Sequence, residues 1–160
     1  MKDLLVKLYD LPDPRPHLEA LRRSGILIRL PLAYEKHQVV DWVHRTFGPG
    51  WASECDVAFS RQPLSCRIAT RNSEIVGFAC FDSTCKGFFG PLGVAEPTRH
   101  LGIGTALLLA TLHAMAESGY AYAVIGGVES TAFYGRIVDC MEIPGSSPGI
   151  YVDRLTDKET

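Results

Sequence analysis

A chain of 160 residues is long enough for one domain with a full hydrophobic core and too short for two ordinary ones. Hydrophobic residues make up 46% and charged residues 21%, the balance of a globular rather than a disordered protein. The net charge of −2 comes without a block of like charges, so no basic face speaks for nucleic acid and none is expected as a partner. No apolar run approaches the length of a membrane span, and the N-terminus lacks the basic-then-apolar build of a signal peptide. A cytoplasmic protein without a membrane partner is the expectation. The five cysteines (Cys55, Cys66, Cys80, Cys85, Cys140) form no C-x-x-C and sit mostly in apolar strand-like runs, as reduced, buried thiols do. Neither they nor the five dispersed histidines show the paired spacing of a zinc site, so no metal is expected.

Residues 1–25 read as a helical extension ahead of a main domain over 26–155, with 156–160 as a short tail. Leu4, Leu5 and Leu8 suit a short helix, which Pro12, Pro14 and Pro16 must end. A second fits His17 to Ser24, opened by Pro16 and stopped by Gly25. This segment could pack on the domain or make homodimer contacts, and the sequence does not choose. Ile26 to Leu30 is a short β-like run. Tyr34 to Phe47 has the apolar spacing of an amphipathic helix, ended by Gly48-Pro49-Gly50, and Trp51 to Phe59 is another short helix. Leu64 to Thr70 and Ile75 to Phe81 read as strands joined by a turn at Arg71-Asn72-Ser73-Glu74. Gly87 to Val94 is a further strand, and Gly90-Pro91 within it must bulge or stay unpaired, because proline cannot donate to a ladder. A helix over Gly104 to Glu117, a buried strand over Ala121 to Ile125, a helix over Ser130 to Val138 capped by Ser130, and a closing strand at Ile150 to Val152 complete the chain.

The run Arg99-His100-Leu101-Gly102-Ile103-Gly104-Thr105-Ala106-Leu107 carries the most chemistry. It joins a strand to an apolar helix through two glycines, so several backbone N–H groups point outward unobstructed. With the positive end of the helix dipole they form a phosphate site, and Arg99 adds a full charge at its mouth. A dinucleotide fingerprint would need a third glycine, where Leu107 stands, and an acidic residue about twenty positions on. Glu129 lies too far along for that role, and three consecutive strands before the turn also argue against a Rossmann order.

The spacing R-x-x-G-x-G-x-x-L over Arg99 to Leu107 resembles the pyrophosphate signature of the GCN5-related N-acetyltransferases, the GNAT family. The order β-α-α-β-β-β-α-β-α-β from Ile26 onward resembles that family's fold. The resemblance implies an α/β protein with a mixed, mostly antiparallel central sheet, flanked by helices and splayed at a cofactor slot. It implies acetyl-CoA as acyl donor, with Arg99, His100, Leu101, Gly102, Ile103, Gly104 and Thr105 on its pyrophosphate. Backbone groups of Leu92, Gly93 and Val94 would then face its pantetheine arm, and an N–H of Val94 or Leu92 would face the acetyl oxygen. Ala132-Phe133-Tyr134-Gly135 is similar to the family's A-x-F-Y segment, which makes Tyr134 the acid that protonates the departing thiolate.

Family members often carry a basic Glu in the strand before the signature, and Gly87 to Val94 holds no acid. Glu54, Asp56, Asp82 and Glu129 are the carboxylates that could face the slot instead; Glu54, beside Trp51, is counted among the catalytic residues, and the sequence does not choose the base. A water chain or an amine of low pKa would remove the need for one. The pattern over 51–59 and 126–151 resembles a bacterial subgroup found in amino-sugar contexts. The expected activity is direct acetyl transfer to the primary amine of a small molecule. A non-catalytic acyl-CoA-binding or sensory module on the same fold is the alternative, kept open by the missing strand acid.

Overall fold

The structure is a computed structural model that describes residues 1–156. Seven strands form one sheet: β1 (Lys2–Lys7), β2 (Ile26–Arg29), β3 (Cys66–Arg71), β4 (Glu74–Phe81), β5 (Phe88–Val94), β6 (Tyr122–Val128) and β7 (Cys140–Glu142). Their spatial order is β2-β3-β4-β5-β6-β1-β7, and every neighbouring pair is antiparallel except β5 and β6. The helices are α1 (Arg15–Arg23), α2 (Lys36–Phe47), α3 (Pro49–Phe59), α4 (Ile103–Glu117) and the single turn α5 (Ala132–Gly135). None is long and apolar enough to cross a membrane.

Strand alternation divides the core into two layers. On β3 and β4, Ile68, Phe78 and Cys80 face α2 and α3, whereas Ala69, Ala79 and Phe81 join the cluster around α4. α4 is apolar almost all round because it is enclosed: the sheet covers one side, and α1 and the Pro12 carbonyl, bonded to His113 Nε2 at 2.8 Å, cover the other. Leu107 and Leu108 are fully buried there, and truncating either to alanine removes about 2–5 kcal/mol. The β3–β4 turn lies where the sequence places it. Asn72 and Ser73 both take positive φ (52° and 62°), the two-residue turn that suits the twist of a hairpin.

Residues 2–7 are not a helix. They form β1, inserted between β6 and β7, with Leu5 opposite Val124 on one side and Met141 on the other. Leu4, Val6 and Leu8 are buried, which is a period of two, and the leucines at 4, 5 and 8 mimic a helical stripe only when the partner strands are unseen. The expected extension therefore contributes a strand to the interior of the sheet, while α1 lies close to the second expected helix. Two other expectations change at the C-terminal side. The helix over Ser130 to Val138 shrinks to one turn without a side-chain cap from Ser130, consistent with Gly135 in its middle. Ile150 to Val152 is a turn rather than a strand, with Tyr151 N–H bonded to Pro148 O at 3.0 Å; the last strand is β7. Most of the expected tail, 157–160, lies outside the described residues.

Candidate active site

β5 and β6 pair at only two positions, Phe88 with Val124 and Phe89 with Ile125, and part from Gly90 onward. The cause is on β5. Against β4, Phe81 pairs with Phe89 and Ala79 with Leu92, so β5 spends one residue more than its partner across Gly90-Pro91. The expected bulge is present, and it opens a slot between two parallel strands. Ala95 N–H donates to Val76 O of β4 at 2.8 Å. By alternation, Gly93 also turns toward β4, while Leu92 and Val94 turn their N–H groups into the slot.

At the far end of the slot the chain makes the turn into α4. His100 (φ 68°) and Gly102 (φ 90°) are both left-handed, a conformation Gly102 takes at little cost. Ala106 N–H makes the first bond of the helix, to Gly102 O at 3.1 Å, which leaves the N–H groups of residues 102–105 without a helical acceptor. A cavity of about 420 Å³ lies over them, bordered by Arg99, His100, Thr105, Phe133 and Arg136. Free donors, the helix dipole and two guanidinium groups fit a pyrophosphate. Arg99 is held in place, its Nε donating to Val94 O at 3.2 Å. Arg136 went unnoticed in the sequence; its only signal is a cation directly after Ala132-Phe133-Tyr134-Gly135.

A second cavity of about 540 Å³ opens at the other end of the slot, bordered by Trp51, Glu54, Thr84, Gly126, Tyr134 and Tyr151. Leu92 borders both cavities, which adjoin there beside the parting of β5 and β6. Tyr134 is mostly buried, edge-on to Phe89 and Phe133 at centroid distances of 6.4 and 5.0 Å. Burial pushes its phenol above the ordinary value of 10.0, so it stays protonated through the neutral range. Trp51 leans on Phe47 at 5.1 Å and keeps 38% of its surface exposed toward the groove. Glu54 accepts a hydrogen bond from Thr84 Oγ1 in the loop between β4 and β5.

The structure sorts the four candidate carboxylates. Glu54 and Glu129 border the groove. Asp56 is turned outward to Lys36 at 3.0 Å. Asp82 accepts from Tyr120 Oη at 2.8 and 2.9 Å and from Gly87 N–H at 2.7 Å, beside a different cavity. Two expected cofactor contacts also move. Gly93 faces the Phe47 ring, where a Cβ would come within 2.6 Å, and its backbone belongs to the β4 ladder. Leu101 is 49% exposed and does not border the cavity.

The far wall of the groove comes from the returning tail and its tie to β1. Tyr151 lies over Gly126, where a Cβ would meet the phenol oxygen at 2.8 Å and the Phe88 ring at 2.9 Å. Buried Asp3 of β1 accepts from Gly127 N–H at 3.0 Å, while its own N–H donates to Ser146 Oγ at 2.9 Å. It thus ties the end of β6 to the returning tail. Cys55, Cys66 and Cys80, distant in sequence, bring their sulfurs within 4.8 Å of one another in the layer under α3. All three are fully buried among apolar side chains, and burial pushes the Cys80 thiol up, as in a packed thiol cluster.

A bulged strand parting from its parallel neighbour, with a helix start of free N–H groups at the end of the slot, is the arrangement of the GNAT fold. A model of the acetyltransferase (GNAT) family matches residues 36–137, and the chain belongs to that family, whose members use acetyl-CoA. No curated protein sequence matches it. Among solved structures, the chain is similar to the glucosamine N-acetyltransferase region of a fungal multi-domain GH3 β-N-acetylglucosaminidase, with TM-score 0.71 and 17% identity over 88% of this chain and 20% of that one. A GCN5-related N-acetyltransferase from Sphaerobacter thermophilus gives 0.68 and 20% over 88% and 48%. A GNAT family N-acetyltransferase from Escherichia coli, in complex with CoA, gives 0.55 and 22% over 71% and 67%. The chain thus spans a fifth of the first of these and about half of the second.

Proposed function

We propose that this chain transfers an acetyl group from acetyl-CoA directly to the primary amine of a small molecule, with Tyr134 as acid and Glu54 as base. The observation that carries this reading is the meeting at Leu92 of two cavities, one over the free N–H groups of residues 102–105 and the other beside Tyr134 and Glu54. Acetyl-CoA would lie with its pyrophosphate over residues 102–105 and its pantetheine arm in the slot beside Leu92 and Val94. The amine would enter over Trp51, drawn by the carboxylates Glu54 and Glu129.

Glu54 takes a proton from the ammonium group, directly or through water, and the freed nitrogen attacks the thioester carbonyl. The N–H of Leu92 or Val94 holds the oxyanion, and as the C–S bond breaks Tyr134 gives its proton to the thiolate, while the second proton of the attacking nitrogen leaves through water and restores the Tyr134 phenol. The products are an acetamide and CoA. An amino sugar is the first acceptor class to examine, because an indole plate beside a carboxylate suits an amine on a sugar ring, and the fungal relative is named for glucosamine.

The test is a screen of amines, beginning with glucosamine, for thiol release from acetyl-CoA, with the acetylated product identified by mass spectrometry. Amine-dependent thiol release supports the reading. Tight CoA binding with no thiol release for any amine class would favour the acyl-CoA-binding module that the acid-free β5 strand keeps open.

A further inference from the structure

A cavity of about 610 Å³ lies away from the transfer groove, between the end of α4, strand β3 and the segment after α3. Arg67 of β3 reaches into it between Cys66 and Ile68, both of which point to the opposite layer. Among the described residues no carboxylate lies within 4.0 Å of Arg67, and its guanidinium makes no hydrogen bond. A half-buried guanidinium with every donor unused is uncommon, since burying an unpaired charge is costly. Burial indeed pulls its pKa below the ordinary arginine value.

The surroundings lean the same way. Arg61 and Lys86 border the cavity without an ion-pair partner among the described residues, and the buried Ser65 Oγ, also on its wall, has no hydrogen-bond partner. Two carboxylates are present, Asp82 and Glu117; Glu117 acts on Arg67 through space, against the effect of burial, but makes no ion pair with it within 4.0 Å. Asp82 is already engaged on both oxygens by Tyr120 and Gly87. At the end of α4 the carbonyls of Ala114, Met115 and Ala116 already accept from the N–H groups of Ser118, Gly119 and Tyr120.

We propose that this cavity is a binding site for a small molecule bearing an oxyanion, a carboxylate or a phosphate, received by the unpaired Arg67 guanidinium with Arg61 and Lys86 beside it. A planar oxyanion can take two parallel N–H donors from one guanidinium, the pairing Arg67 is free to make. The site shares one structural element with the transfer groove. In the loop between β4 and β5, Lys86 borders this cavity while Thr84 holds Glu54.

The test is arginine modification of the full chain by phenylglyoxal, followed peptide by peptide with mass spectrometry, in sodium chloride, inorganic phosphate or succinate at equal ionic strength. Arg67 should react in chloride. At ten times the dissociation constant of the bound anion, its modification should slow roughly tenfold while exposed Arg22 is unaffected. Protection by phosphate alone assigns a phosphate group, and protection by succinate a carboxylate. An Arg67 that does not react in chloride, or that slows no more than Arg22 in either anion, overturns the proposal.

Discussion

The cavity at the start of α4 draws its N–H donors from one short run, Arg99 to Thr105, with Arg136 added from beyond α5, whereas the groove around Tyr134 is made of side chains from α3, the 82–87 loop, β6 and the returning tail. The first needs only a glycine turn and a helix dipole, and a polar backbone serves any pyrophosphate equally. The second needs five separate segments to arrive together, and what it accepts depends on each. On the proposed function, the difference teaches that donor recognition would be local and general, and acceptor recognition assembled and particular. Substitutions should therefore act on turnover at one end and on CoA affinity at the other.

The largest expected effect is at the assembled end. Tyr134→Phe should lower turnover by roughly a thousandfold, within the range of lost general acid catalysis, and leave the CoA dissociation constant from calorimetry unchanged. In the parent protein turnover should fall only above about pH 10, because burial holds the phenol protonated beyond its ordinary value, and the Phe variant should lack that limb. Unchanged turnover in Tyr134→Phe would remove its assigned role.

Glu54→Gln should cost less, roughly a hundredfold in turnover, because water can relay a proton from the amine. Rescue at higher pH, where more of the amine is already neutral, separates a base from a residue that only shapes the groove. At the backbone end, Gly102→Val should weaken CoA by roughly tenfold in a titration, since a branched residue at φ 90° costs about 1–2 kcal/mol and the donor array shifts with it. Turnover at saturating acetyl-CoA should change much less. If it falls as far as in Tyr134→Phe, the two ends are not separable.

The smallest effect belongs to a residue in neither region. Arg29 and the Leu32 N–H hold the Glu35 carboxylate down at about 2, with bonds of 2.8 and 2.7 Å. That lowered value makes its stabilisation complete above the ordinary carboxylate value of 4.5 and lost as pH falls toward 2. Glu35→Gln should cost about 1 kcal/mol or less in urea unfolding at pH 7, nothing near pH 2, and leave both CoA binding and turnover intact.

The sequence determined whatever rests on neighbouring residues. The turn at Asn72-Ser73, the bulge at Gly90-Pro91, the apolar helix α4 and the anion site at its start follow from local propensity, a missing donor and a dipole. A person reading only the chain can place them. Three-dimensional packing decided the rest. Leu4, Val6 and Leu8 alternate like a strand, but nothing local distinguishes that from the stripe of Leu4, Leu5 and Leu8, and only β6 and β7 on either side resolve it. Glu54 and Asp56 are two positions apart on one helix and look alike on paper. A helix turns them about 200° from each other, so one faces the groove and the other faces Lys36. Tyr151 over Gly126, Asp3 beside Gly127 and Arg67 without a direct ion pair among the described residues are likewise facts of assembly. Periodicity tells a residue which face it takes, and only the folded chain tells it what that face meets.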